Sequence, residues 1–336
     1  MIACLRAGLL GLAASMISGL LAPAALALDG KLIHVQVTTN NVPGPVDVAV
    51  YTPPGYDPKR AQPYPLLLQL HGGGGSSQNM TAMAATLETG IKQGLIPPVV
   101  SIMPSAGRSF YMDYKDGSQK WETFILADLI PWARAGYDVP KGREGTLITG
   151  ISMGGMGSLR IAFKHPDMFQ AVASQEPGIE PALGYDDIKL RDRFYRDDTL
   201  FEQKFGKPVD KAYWAANNPA TIASTNPDKL LGLSIYIEVG DQDMFYLNQG
   251  TEFLHRVLFD KQISHEYRLV KGADHVGPSI PPRFLNALDF LGRVLNPPKD
   301  WTAAPAVLTA RERNDQLKRG VGYPVKPFNP DRIHTE

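Results

Sequence analysis

The sequence predicts an α/β fold on a mostly parallel sheet of eight strands. Three observations carry that reading. Short apolar runs alternate with amphipathic stretches from residue 65 onward, and two alternating runs before them are joined by an Asn/Pro/Gly-rich turn. A third signal is the run Leu147-Ile148-Thr149-Gly150, which passes through Ile151-Ser152-Met153-Gly154 directly into a helical pattern. Strand-helix alternation after an antiparallel start places parallel strands inside, with helices covering them. No repeat, low-complexity tract or second apolar core interrupts the pattern, so a single domain over 28–295 accounts for the chain.

Taken in order, Lys31 to Thr39 and Val46 to Tyr51 alternate like half-exposed strands and form a hairpin at the sheet edge. Pro65 to Leu70 is short and wholly apolar apart from Gln69, the signature of a buried parallel strand, and it ends in His71-Gly72-Gly73-Gly74-Gly75. A helix is expected from Met80 to Gln93, a strand at Val99 to Met103, and an aromatic-rich loop from Pro104 to Gly117. Trp121 to Ala135 has helical periodicity with a kink or new turn at Pro131, where the ring removes an N–H donor. The strand 145–150 feeds the serine turn, the helix behind it stops at Pro166, and Ala171 to Ser174 is the next strand. From 176 to about 230 periodicity fails over a length no simple connection needs, which reads as an inserted cap beside the site. Leu233 to Val239 and Glu266 to Val270 complete the sheet, with helices at Leu247 to Phe259 and Pro282 to Leu295. Residues 296–336, Pro-rich and charged, are expected to extend along the surface or fray.

The N-terminus has Arg6, then an apolar run to Leu21, then Ala25-Leu26-Ala27, the pattern of a secretory signal peptide over 1–27 cleaved after Ala27. Export to the periplasm or medium follows, with no stable membrane insertion of the mature chain. The single cysteine, Cys4, leaves with that leader, so the mature chain has no disulfide, thiol nucleophile or cysteine-based metal site. Basic and acidic residues number 34 each, and losing Arg6 leaves an excess of one acid, which provides no electrostatic reason to expect nucleic acid or an anionic membrane as partner.

A serine between glycines on a strand-to-helix turn has its hydroxyl presented above the sheet, where a base can reach it. The hydroxyl is a poor nucleophile alone, so Ser152 needs an imidazole, and the imidazole needs an acid to fix its tautomer. In α/β-hydrolases these follow the serine in the order acid, then histidine. Of the five later histidines, His165 ends a helix, His255 lies within one, His265 opens a strand and His334 is in the tail, whereas His275 sits in Gly272-Ala273-Asp274-His275-Val276-Gly277 just past the last strand. The acid is expected after Leu233 to Val239, at Asp243 of Gly240-Asp241-Gln242-Asp243, with Asp241 as the alternative and as the turn-pinning residue. Asp274 is a third candidate, disfavoured because sequence adjacency aims it away from the neighbouring ring. Two N–H donors for an oxyanion are expected at Met153, on the helix N-terminus, and at Gly73 in the glycine loop. His71 is the alternative base, but it precedes the serine in a glycine loop and reads mainly as ordering that loop, with a pocket position also open to it. The glycine run lacks the Lys-Ser/Thr ending of a phosphate-binding loop.

Leu70-His71-Gly72-Gly73-Gly74, Gly107-Arg108-Ser109-Phe110-Tyr111, Lys120-Trp121-Glu122-Thr123-Phe124, the serine turn and Gly272-Ala273-Asp274-His275 together resemble the putative-esterase family, over about residues 31 to 295. That family includes esterase D (S-formylglutathione hydrolase), feruloyl and other carbohydrate esterases, and mycolyltransferases. The resemblance implies an α/β-hydrolase fold, a Ser152-Asp243-His275 triad and Gly73 and Met153 as oxyanion donors, without fixing the substrate. The chain departs from many relatives at Ser174-Gln175-Glu176-Pro177-Gly178, where a Ser-Gly is common and Glu176 is expected to bring a carboxylate near the pocket rim. It departs again at Val276-Gly277-Pro278, where an aromatic often follows the histidine.

Phe110, Tyr111, Tyr114, Trp214, Phe245 and Tyr246 are aromatics near the expected mouth, able to hold an aryl acyl or alcohol group or to serve as core and cap packing. His71, Phe110, Tyr111, Trp214 and Phe245 are the pocket candidates. Glu122 reads as structural at its helix start. No His/Asp/Glu group has metal-ligand spacing, so neither a metal nor another cofactor is expected. The function expected is an exported serine carboxylesterase working through an acyl-enzyme on a small-molecule or glycan-linked ester, including aryl or feruloyl esters. Transfer of the acyl group to an alcohol or sugar is the alternative, and a non-catalytic carbohydrate- or partner-binding protein on the same scaffold is the third.

Overall fold

A computed structural model describes residues 28–298, 304–323 and 325, so the expected leader at 1–27 lies outside the described residues. One eight-stranded sheet runs in the order β1-β2-β4-β3-β5-β6-β7-β8, with β1 Lys31–Val37, β2 Val46–Thr52, β3 Leu66–Leu70, β4 Val100–Pro104, β5 Thr146–Ile151, β6 Ala171–Gln175, β7 Ser234–Gly240 and β8 Glu266–Val270. The β1/β2 and β2/β4 pairs are antiparallel and every other pair is parallel. The antiparallel hairpin thus forms the edge expected of it. Strands β3 to β6 are buried at all or nearly all positions because both of their faces are covered, which is why they read as continuous rather than alternating apolar runs.

Successive strand residues feed opposite layers. Leu68, Ile148, Val172 and Ile237 join one core cluster, and their neighbours Leu67, Leu147, Ala171 and Tyr236 join another. The second layer is closed by α1 (Met80–Lys92) and α8 (Ile280–Leu295), which pack together where Gly90 lets Leu288 approach. The first layer is covered by α3 (Met153–Lys164), buried from Met153 to Phe163. Its burial all round makes it the central helix that fixes the serine turn.

The helix expected over Trp121 to Ala135 is interrupted. A π segment, Phe124–Leu129, precedes α2 (Ile130–Gly136). Pro131 supplies the reason, since it cannot donate back to Ala127 and the wider turn accommodates that missing bond. Between β6 and β7 the chain forms α4 (Asp198–Phe205), α5 (Lys211–Asn217) and α6 (Pro219–Thr225) with short 3-10 turns. After β7 comes α7 (Leu247–Asp260). The tail differs from its extended expectation. Its described part contains a helix, α9 (Pro305–Gly320), with no buried residue, formed by a run of good helix formers behind Pro305. Among the described residues, no helix is long and apolar enough to cross a membrane.

Candidate active site

Ser152 sits between β5 and α3 at φ 59 and ψ −117, a backbone conformation that L-residues rarely hold. The turn is kept by its surroundings. Ser152 donates its N–H to the Gln175 carbonyl at 2.9 Å and accepts at its own carbonyl from Met156 and Gly178. Glycine is required at two flanking positions: a Cβ on Gly150 would overlap the Gly154 carbonyl, and one on Gly154 would overlap the carbonyl of Leu70. Strand β5 and helix α3 can therefore approach closely enough to lift the Ser152 side chain above the carboxyl end of the sheet.

The loops after β7 and β8 meet it there. His275 Nε2 lies 3.0 Å from Ser152 Oγ, and His275 Nδ1 lies 2.8 Å from Asp243 Oδ2. Asp243 is almost wholly buried, and its other oxygen accepts the N–H groups of Phe245 at 2.8 Å and Leu247 at 3.3 Å. Burial works to raise its pKa, but hydrogen bonds from His275 and Glu176 outweigh burial and hold it at about 2. An ionised carboxylate on Nδ1 selects the tautomer whose Nε2 can accept a proton from the serine.

The other aspartates are engaged elsewhere. Asp241 accepts from the Gly272 N–H at 2.7 Å, tying the two loops together, and Asp274 accepts from the Met244 and His275 N–H groups. The glycine loop lies over the serine turn. A Cβ on Gly72 would stand 3.5 Å from that of Ser152, and one on Gly73 would stand 3.9 Å from that of Met153. Gly73 and Met153 thus border the same space.

Four of the five pocket candidates prove to be packing residues. His71 is buried, donates from Nδ1 to the Gly72 carbonyl at 2.7 Å and accepts from Ala106 N–H at Nε2, so both nitrogens are spent on ordering the loop. Burial lowers its pKa and favours that neutral form. Tyr111 is fully buried and donates its hydroxyl to the His71 carbonyl. Phe110 packs beneath the Arg196 guanidinium and Trp214 against Tyr185. Tyr114 is likewise buried, under the Lys204 ammonium. Such aromatics satisfy a core or a mouth equally well, and periodicity in a loop cannot say which. Phe245 is the exception: its ring packs edge-on to His275 with centroids 4.8 Å apart and lines a cavity of about 350 Å³. Tyr246 and Leu247 share that wall, and the segment after β6 contributes Ile179, Pro181, Arg191, Asp192 and Phe194. The last group carried no sequence signal beyond lying in the aperiodic cap.

Glu176 also differs from expectation. It lies behind Asp243, fully buried, rather than at a rim, because the chain turns inward after β6 at φ 46. Glu176, Asp243 and His275 offer ligand atoms within 4.8 Å of one another, a grouping that linear spacing could not reveal. The Arg283 guanidinium is already ion-paired to Glu176 there, so the positive charge at this cluster is supplied by the chain itself. Glu122 is structural, as expected, pairing with Lys164 and His165.

A serine on a strained strand-to-helix turn, hydrogen-bonded through a histidine to a buried aspartate at the ends of later parallel strands, defines the serine α/β-hydrolase class. The chain belongs within it to the family described as "Putative esterase", which matches residues 39–281. It is 29% identical over 150 residues to "Esterase Rv1288" of Mycobacterium tuberculosis (strain ATCC 25618 / H37Rv), covering 44% of this chain and 32% of that protein. To the "Diacylglycerol acyltransferase/mycolyltransferase Ag85B" of Mycobacterium leprae (strain TN) it is 36% identical over 97 residues, covering 24% of this chain and 29% of the other. The chain thus spans about a third of the length of the curated relatives it matches. Its fold is similar to that of a ferulic acid esterase structure, with a TM-score of 0.65, 18% identity and coverage of 80% of this chain and 99% of the other.

Proposed function

We propose that this protein is an exported serine carboxylesterase that works through an acyl-enzyme on small esters with an apolar or aryl group. The observation that carries the reading is His275 bridging Ser152 at 3.0 Å and Asp243 at 2.8 Å. Ser152 Oγ attacks the ester carbonyl carbon while His275 Nε2 takes its proton, and the oxyanion is held by the N–H groups of Gly73 and Met153. Collapse breaks the bond to the alcohol oxygen, which takes the proton from His275. Water, deprotonated by the same nitrogen, then attacks the acyl-enzyme and releases the acid and Ser152. The rings of Phe194, Phe245 and Tyr246 around the cavity support an aryl or aliphatic group at that side of the carbonyl.

Hydrolysis of acetyl, butyryl, octanoyl and feruloyl esters and a thioester by the mature protein tests the reading. Turnover that vanishes in Ser152→Ala supports it, and no turnover across the panel by the wild type defeats it. The mycolyltransferase name of one relative favours a second reading, transfer of the acyl group to an alcohol or sugar, including a glycan hydroxyl. Product analysis with and without an acceptor alcohol separates the two. Export rests on the leader pattern, and N-terminal sequencing of the cell-expressed protein should find Leu28 first.

A further inference from the structure

We propose that Glu176 is a fourth, positioning member of the site, which keeps its proton and donates it as a hydrogen bond to Asp243, so that Asp243 remains an ionised, fixed acceptor for His275. This rests on the hydrolase reading of Ser152 and His275. Two buried carboxyls, Glu176 and Glu238, face one guanidinium, Arg283, and a third, Asp243, lies beside Glu176. The Arg283 guanidinium lies against Glu176 Oε1, donates from Nε to Glu238 Oε1 at 2.6 Å and also donates to the Asp274 carbonyl. Glu238 receives the Tyr236 hydroxyl as well. One guanidinium among three buried carboxyls leaves charge uncompensated away from water, and a proton held on one carboxyl removes that cost.

The hydrogen-bond pattern says which one. Asp243 accepts from His275, Phe245 and Leu247, all of which stabilise its charged form. Glu176 Oε1 accepts from the Gly240 N–H at 3.1 Å beside Arg283. Its Oε2 is buried with no donor, while the two carboxyls lie close enough to hydrogen-bond to one another. Carboxyls in hydrogen-bonding contact need a proton between them, and Oε2, the Glu176 oxygen that receives no hydrogen bond, is the one free to carry it. Burial and the neighbouring Asp243 carboxylate act in the same direction, raising the Glu176 pKa to about 8 against the opposing pull of Arg283. The backbone bears the cost of this placement. Glu176 holds φ 46, with its N–H donated to the Glu238 carbonyl at 2.8 Å.

The test compares Glu176→Gln, which keeps a neutral donor of the same shape, with Glu176→Ala, which has none. Glu176→Ala should lower kcat by about tenfold or more with little change in KM, since the general-base catalysis it supports is worth roughly 10²–10⁴ in all and the residue stands outside the cavity. Glu176→Gln should restore most of that loss. It should also abolish an alkaline fall in wild-type kcat near pH 8, where ionised Glu176 faces Asp243 among His275, Arg283, Glu238 and Asp274. A wild-type minus Glu176→Gln infrared difference spectrum at neutral pH should carry a protonated-carboxyl C=O band, a readout that does not depend on turnover. A Gln variant as impaired as Ala, or unable to fold, would show that the charge on Glu176 is what matters and overturn the proposal, as would absence of the band. A band in a wild type that hydrolyses no ester would support the shared proton and defeat only the hydrolase reading.

Discussion

Asp241 and Asp243 stand two residues apart and do different work, because the turn after β7 aims one at a backbone amide and the other at an imidazole. Asp243→Asn would present an amide N–H to His275 Nδ1 and select the wrong tautomer, so kcat should fall by roughly 10³–10⁴. Asp241→Asn removes only a charged acceptor for Gly272, so kcat for a p-nitrophenyl ester should stay within about threefold while stability falls by about 1 kcal/mol. The Asp243 carboxyl also sets a pH dependence of stability. Its folded pKa, about 2, lies below the ordinary value near 3.9. Its contribution is therefore fully present above about pH 4 and is lost as pH falls toward about 2. Thermal melts should show wild type losing more stability than Asp243→Asn across that window. At this scale Ser152 and His275 were legible because glycines and a loop position mark them. Glu176 was visible as a departure from relatives, but its inward turn was not, since a positive φ at a glutamate has no sequence signature.

The elements were legible where burial forces a pattern. Continuous apolar runs at β3 to β6 and the amphipathic α8 follow from being covered on two faces or on one. The π segment before Pro131 shows what periodicity leaves out, because a widened turn keeps the same apolar face. The close approach of β3, β5 and α3 makes a strong demand on Gly154, whose added Cβ would overlap the Leu70 carbonyl. Gly154→Ala should therefore destabilise by roughly 3 kcal/mol or more, read as a lowered melting temperature, and reduce activity with it. The loop between β7 and α7 carries the specificity wall. Phe245→Ala should lower kcat/KM for aryl esters by about 10- to 100-fold and for acetyl esters by much less, measured across the ester panel. Loss equal for both would place Phe245 with His275 orientation rather than with the acyl or alcohol group.

For the whole molecule, a sheet whose carboxyl ends gather three loops brings together residues 123 positions apart, from Ser152 to His275. Chain order and strand count made that convergence readable, as did the glycine loop after β3. The cap was readable only as a failure of periodicity, so Phe194 and Ile179 could not be placed in advance. Ser152 is expected to become acylated during turnover, and intact-protein mass spectrometry after brief exposure to a slowly deacylating aryl ester reads that step. The wild type should gain one acyl group, located to Ser152 by peptide mapping, and Ser152→Ala should gain none. An unmodified wild type that still hydrolyses the ester, or a label that persists in Ser152→Ala, would contradict it.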